Sequence, residues 1–207
     1  MIRILLVILS VLVLSSGLNA QNLETLWNFD GGKTGDLPSE FTNERGEWKV
    51  VAEPTAPSKP NVLAQQAKNS GSTFNVTLVN VANYQNLDVS VKMKAIAGQE
   101  DQGGGLVWRA QDAKNYYVAR YNPLEDNYRL YKVEMGRRNQ IQSADLPHSD
   151  GWHTLRVTMK GDHIQCFYDG KLFLESKDST FPGPGQIGLW TKADARSHFD
   201  DLKVIGK

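Results

Sequence analysis

From Gln21 onward the chain places apolar residues at every second position in short runs, and each run ends at Gly, Pro, Asn or Asp. A period of two is the mark of a strand with one buried face. In the clearest run, 87–95, Leu87, Val89, Val91, Met93 and Ala95 share a face opposite Asp88, Ser90, Lys92 and Lys94. The run 152–160 repeats this with Leu155, Val157 and Met159, and 164–168 with Ile164, Cys166 and Tyr168. Further strands are expected over 23–29, 47–52, 61–66, 74–79, 105–109, 116–121, 128–134, 171–175, 186–191 and 199–205. No stretch sustains the 3.6-residue period of a helix. About a dozen short strands with turn signals between them specify an antiparallel sandwich or jelly roll. Asp169-Gly170 is a tight hairpin turn, Lys160-Gly161-Asp162 a second, and Pro182-Gly183-Pro184-Gly185 excludes regular structure. The proline-rich stretch 53–60 reads as a surface loop, because strand patterning continues on both sides of it. With no repeat and no low-complexity tract, residues 21–207 are expected to form one domain.

The first twenty residues have another pattern. Arg3 precedes an apolar run from Ile4 to Leu14, followed by Ser15-Ser16-Gly17-Leu18-Asn19-Ala20. This is the three-part layout of a cleavable signal peptide, 1–20. A membrane span needs roughly 20 apolar residues, and this run breaks at Ser15. No Cys follows it to carry a lipoprotein anchor. The expectation is a secreted or periplasmic domain without a transmembrane anchor. Charge agrees with that and excludes more: Lys+Arg 23 against Asp+Glu 23 leaves no basic excess to hold nucleic acid. The single Cys166 rules out an internal disulfide or a CxxC site, so the core alone must hold the fold.

Several phrases in the second half carry a family resemblance. They are Asp101-Gln102-Gly103-Gly104-Gly105-Leu106-Val107-Trp108-Arg109-Ala110, Asn115-Tyr116-Tyr117-Val118-Ala119-Arg120, Gly151-Trp152-His153-Thr154-Leu155-Arg156-Val157, Asp169-Gly170-Lys171, Gly188-Leu189-Trp190-Thr191-Lys192-Ala193-Asp194 and His198-Phe199-Asp200-Asp201-Leu202. They resemble the concanavalin A-like lectin/glucanase superfamily, and within it the secreted bacterial 3-keto-disaccharide hydrolase family and its laminin-G-like relatives. The resemblance implies an all-β jelly-roll sandwich of two curved antiparallel sheets, with ligand on the concave face or in the rim loops. It does not fix an activity, because one sandwich hosts lectins, hydrolases and structural modules.

Laminarinase-type members of that superfamily carry Glu-x-Asp-x-(x)-Glu on one strand, which aims two carboxylates into one cleft. That pattern is missing. Glu125-Asp126 are adjacent, between Pro123 and Asn127, and read as a turn. The remaining polar residues on apolar strands are Arg109, Arg120, Lys132, Trp190, Lys192 and Asp194. If Leu106, Trp108, Ala110 and Leu189 face the core, Arg109 and Trp190 face the concave side together. There an aromatic face and charged donors would suit a sugar ring. The plainer reading is that Trp108 and Trp190 are core and the arginines are solvated strand charges. Both stay open at this point.

Among the histidines, His153 is expected to pack, and His148 and His163 lie in turns. His198, with Asp194, Asp200 and Asp201 nearby, is the one candidate for a carboxylate-oriented base. Cys166 is expected to be a small buried filler. Asp200-Asp201 requires a bulge in the last strand. Because many sandwiches of the superfamily tie their ends with structural calcium, the resemblance also suggests an oxygen-only Ca²⁺ site from Asp30 and Asp201. Asn75-Val76-Thr77 fits a glycosylation acceptor and reads as chance. Three functions follow: an exported carbohydrate-binding module for a glycan or small saccharide, a hydrolase or lyase of a 3-keto-disaccharide, or a purely structural sandwich.

Overall fold

The structure, a computed structural model, describes residues 23–206. The expected signal peptide, 1–20, lies outside the described residues. The described residues form strands and turns, and no helix among them is long and apolar enough to cross a membrane.

Two antiparallel sheets make the sandwich. Sheet A runs Lys171–Lys177 (β13), His163–Tyr168 (β12), His153–Lys160 (β11), Leu87–Ala97 (β6), Arg196–Gly206 (β15), Asn61–Gln65 (β4) and Trp48–Ala52 (β3), and Leu23–Trp27 (β1) also pairs with β15. Sheet B runs Arg137–Asp145 (β10), Asn127–Glu134 (β9), Asn115–Asn122 (β8), Gly104–Asp112 (β7), Gln186–Lys192 (β14), Phe74–Val79 (β5) and Phe41–Arg45 (β2). Two strands, β2 and β10, were not anticipated, and they are the two edges of sheet B. An edge strand buries little, so it needs no apolar alternation, and Thr42-Asn43-Glu44-Arg45 and Arg137-Arg138-Asn139-Gln140 have none.

The main core lies between the sheets. Val89, Val91 and Met93 of β6 and Leu155, Val157 and Met159 of β11 meet Leu106, Trp108, Tyr117, Ala119 and Leu189 from sheet B. Each of the buried Val, Leu and Met side chains contributes about 1.5–3 kcal/mol by leaving water. Trp108 stacks on Tyr117 at 5.6 Å between ring centroids. Cys166 is fully buried beside Ile164, as its strand pattern implied.

β15 changes partner along its length. Ser197–Phe199 pair with β4, whereas Leu202–Gly206 pair with β1. The register against β6 shifts between Asp200 and Lys203, and Asp201 has φ 48°, so the bulge required by Asp200-Asp201 is present.

Sheet B curls. A second apolar cluster covers its outer face: Val76, Leu78, Val107, Ala110, Tyr116, Val118, Tyr131, Val133 and Trp190. β10 and β5 are five steps apart in the strand order, about 24 Å on a flat sheet. Yet the Arg138 guanidinium of β10 lies 5.5 Å from the Phe74 ring of β5. Two long side chains cannot close 24 Å, so the outer face is concave. Gly105 and Gly188 allow the bend. A Cβ on Gly105 would lie 2.1 Å from the Ala119 carbonyl oxygen, and one on Gly188 2.2 Å from that of Thr77. No side chain fits where neighbouring backbones approach this closely.

Candidate functional site on the concave face of sheet B

Alternation along β8, β9 and β14 sends Arg120, Asn122, Asn127, Arg129, Tyr131, Trp190 and Lys192 to the concave face. Arg138 reaches it from β10. The polar members are buried to an extent that folding alone does not call for. Arg120 is 1% exposed, Asn122 0%, Asn127 3% and Asp101 1%.

Glu125 is the hub. Its Oε2 accepts from Arg120 Nη2 at 2.9 Å, Arg129 Nη1 at 3.1 Å and Asn127 Nδ2 at 3.2 Å. Burial opposes its charge, but these donors outweigh burial and hold its pKa below the ordinary carboxylate value. Asp101 is the second anchor. Its Oδ1 accepts from Asn122 Nδ2 at 2.9 Å, and its Oδ2 from Lys192 Nζ at 3.0 Å. Arg138 lies over Tyr131 at 4.3 Å and Trp190 at 5.6 Å.

Not every polar group is satisfied. Among the described residues, Arg120 Nε and Nη1, Asn127 Oδ1 and Arg138 Nη1 are buried without a hydrogen-bond partner. An orphaned buried donor costs about 1–3 kcal/mol, more when charged. Four such atoms lie on this one face, each leaving hydrogen-bonding capacity that the protein itself does not fill. Beside Phe74 and Val76 the face continues into a groove of about 380 Å³, flanked by Arg45 and Lys114.

A different arrangement sits on the outer face of sheet A. His198 Nδ1 lies 2.9 Å from Glu53 Oε2, and Lys94 Nζ 3.9 Å from the same oxygen. The carboxylate that orients His198 is therefore Glu53, from the loop after β3, rather than Asp194, Asp200 or Asp201. Burial opposes the Glu53 charge, but the Thr55 hydroxyl and N–H, His198 and Lys94 hold its pKa down at about 2. Burial lowers the pKa of His198, more than its Glu53 hydrogen bond raises it. The histidine is therefore neutral near pH 7, with Nδ1 engaged by the carboxylate.

A family model for the 3-keto-alpha-glucoside-1,2-lyase-like domain matches residues 18–205. The chain belongs to this family. Among related proteins, a levanase of Bacillus subtilis (strain 168) is 26% identical over 152 residues, covering 72% of this chain and 20% of the levanase. The carbohydrate-binding module CBM66 of Bacillus subtilis shares the fold with a TM-score of 0.67 at 22% identity, covering 79% of this chain and 94% of the module. The GH43 protein BlXynB of Bacillus licheniformis (mutant K247S) gives 0.65 at 13% identity, covering 88% of this chain and 39% of its own. These likenesses establish the β-sandwich fold.

Within this lyase-like domain the residues singled out from the sequence separate. Trp190, Arg120 and Lys192 share the concave face. Trp190 is no open stacking platform, however: it is 1% exposed, lies against Phe74 at 5.4 Å and donates from Nε1 to the Tyr116 hydroxyl. Arg109 is not beside it. At Arg109 φ is 46° and the register slips after Trp108, which turns the side chain out of the alternation. Its guanidinium donates to the carbonyls of Gln85, Phe181 and Gly161, tying loops together. Lys132 points the opposite way from Tyr131 and Val133 and bonds Thr180 and Asp178. Asp194 gives its carboxylate to the backbone N–H groups of Gln99, Glu100 and Asp101, which fixes the loop that presents Asp101.

Of the two residues in the calcium expectation, Asp30 accepts from the Asn61 N–H, and Asp201 lines a cleft of about 280 Å³ together with Lys92 and Lys203. Among the described residues no group of three His, Cys, Asp or Glu side chains could hold a metal ion. Asn75 is fully buried and bonded to Thr191 and Ala193, which leaves no room for a glycan on it.

Proposed function

We propose that this domain is an exported saccharide-binding module, and that the concave face of sheet B is its binding surface. The observation that carries this reading is the set of buried, unpartnered guanidinium and amide atoms on Arg120, Arg138 and Asn127, beside two anchored carboxylates. A sugar offers many hydroxyls in a small volume, each able to donate and accept, which matches a face of mixed orphan donors and acceptors. The family membership and the fold shared with a carbohydrate-binding module support it. A glycan array that includes levan, probed with the wild type and Arg129→Ala, tests the reading. Arg129 is partly exposed and its loss leaves Arg120 on Glu125, so the fold survives. Binding by the wild type with at least about a tenfold loss in the variant is expected. No binding to any glycan would end the proposal.

A second reading rests on His198. A 3-keto glucoside has an acidified proton on C2, next to the carbonyl. A base that takes it allows the C1–oxygen bond to break as a C1=C2 double bond forms, with a proton delivered to the departing oxygen. Neutral His198, oriented by Glu53, has the character such a base requires. His198→Ala in an assay on a 3-keto glucoside separates this from binding alone: unchanged turnover, or none in the wild type, removes it.

A further inference from the structure

The concave face is not electrically neutral. Arg120, Arg129, Arg138 and Lys192 bring four cations, and Glu125 and Asp101 two carboxylates. Glu125 serves two arginines and Asp101 serves Lys192, while Arg138 forms no ion pair among the described residues. Arg120 and Arg138 approach the same Tyr131 ring, with their guanidinium carbons 6.0 and 4.3 Å from its centroid. Two like charges thus share one ring, each with an unpartnered N–H. Burial lowers the Arg138 pKa, Tyr131 opposes that, Arg120 lowers it further, and Asp101 and Glu125 raise it again, without bringing it back to the ordinary value. The groove beyond Phe74 is flanked by two more cations, Arg45 and Lys114, against one carboxylate, Glu44.

A neutral hydroxyl would satisfy the orphan N–H groups and leave the repulsion in place. A carboxylate would do both, because its two oxygens match the guanidinium fork. Resting on the saccharide-binding reading, we propose that the ligand is an acidic saccharide whose carboxylate is held by Arg138, with the buried Arg120 adding its charge from within the face and the sugar ring beside Phe74. A uronate unit is the chemical class that this arrangement recognises.

The test compares tri-galacturonate with its fully methyl-esterified form, in which each carboxylate is neutralised at the cost of one added methyl, titrated calorimetrically into the chain from residue 21 onward at low and at physiological salt. The acid should bind about tenfold to a hundredfold tighter than the ester. That margin should shrink with salt and vanish in Arg138→Gln. Arg138→Lys keeps charge and cover over Trp190 but loses the fork, and should retain only part of it. Melting temperatures of both variants report whether the face stays folded. Equal affinity for acid and ester overturns the proposal. So does binding of only neutral glycans or of glucose 6-sulfate, although the saccharide-binding reading would then stand. No saccharide binding of any kind takes both down.

Discussion

In sheet A, strands β6, β11 and β12 bury every second residue and leave the alternate ones half-exposed. In sheet B, β7 and β8 bury nearly every residue, polar ones included. The two sheets share one core, so the difference lies entirely on their outer faces. That of sheet A carries pairs such as Arg156–Asp88, at 2.6 Å with both partners half-exposed to solvent. That of sheet B has folded over a second apolar layer, and its arginines lie inside the curve. The same residue type, Arg, is surface decoration on one sheet and buried machinery on the other. Curvature rather than composition separates the two cases.

The strongest way to break the comparison is to remove Trp190. Trp190→Ala deletes a fully buried indole and strands the Tyr116 hydroxyl, so a loss of about 3–5 kcal/mol is expected in denaturant unfolding. A loss under 1 kcal/mol would mean the outer cluster of sheet B is not a core.

Acid should act first on sheet A. Glu53 is ionised down to about pH 2 in the folded chain and only to its ordinary 4.5 when unfolded. Its contribution, up to about 3 kcal/mol, is complete above pH 4.5 and is lost as pH falls towards 2. His198 adds the same sign higher up, because its folded pKa lies below 6.5 and the unfolded chain takes the proton first. Melting temperature should therefore decline as pH drops below about 6.5 and again below 4.5. His198→Gln should remove the upper limb and Glu53→Gln should shrink the lower one, the rest of which belongs to Glu125 and Asp178. Unchanged limbs in those variants would assign the acid sensitivity elsewhere.

Gly105→Ala forces a methyl into the Ala119 carbonyl and should cost about 1–3 kcal/mol, together with any affinity of the concave face. A neutral result would mean the bend does not need this glycine.

Arg120→Met sharpens the contrast. Glu125 keeps Arg129, two orphan nitrogens disappear, and stability should stay within about 1 kcal/mol of the wild type or rise, while binding falls. The smallest effect belongs to sheet A: Arg156→Ala should cost under about 1 kcal/mol by thermal melting.

How much of this could be read from sequence follows the same divide. Strands facing the common core declared themselves by alternation, and the Asp200-Asp201 bulge by its interruption. Arg138 did not, because its strand is an edge with no apolar repeat. Arg109 was misplaced because a bulge at its own position reverses the count of faces. Glu53 lies 145 residues from His198, and nothing local links them. Glu125 read correctly as a turn residue, yet its role comes from Arg120, Asn127 and Arg129 converging on one oxygen, which only the tertiary fold brings about.

The change of partner along β15 has a consequence for how the molecule assembles. Among the described residues, β15 is the one bridge in sheet A between the group β13-β12-β11-β6 and the pair β4-β3, and the one strand that pairs with β1, with Leu23 opposite Gly206. Until residues 196–206 arrive, that sheet exists as separate fragments with open edges, whereas the ladder from β10 to β7 can zip up from neighbouring hairpins. Pairings of such long sequence separation close slowly. A chain held on a ribosome or chaperone would therefore keep sheet A in unjoined pieces until β15 is delivered.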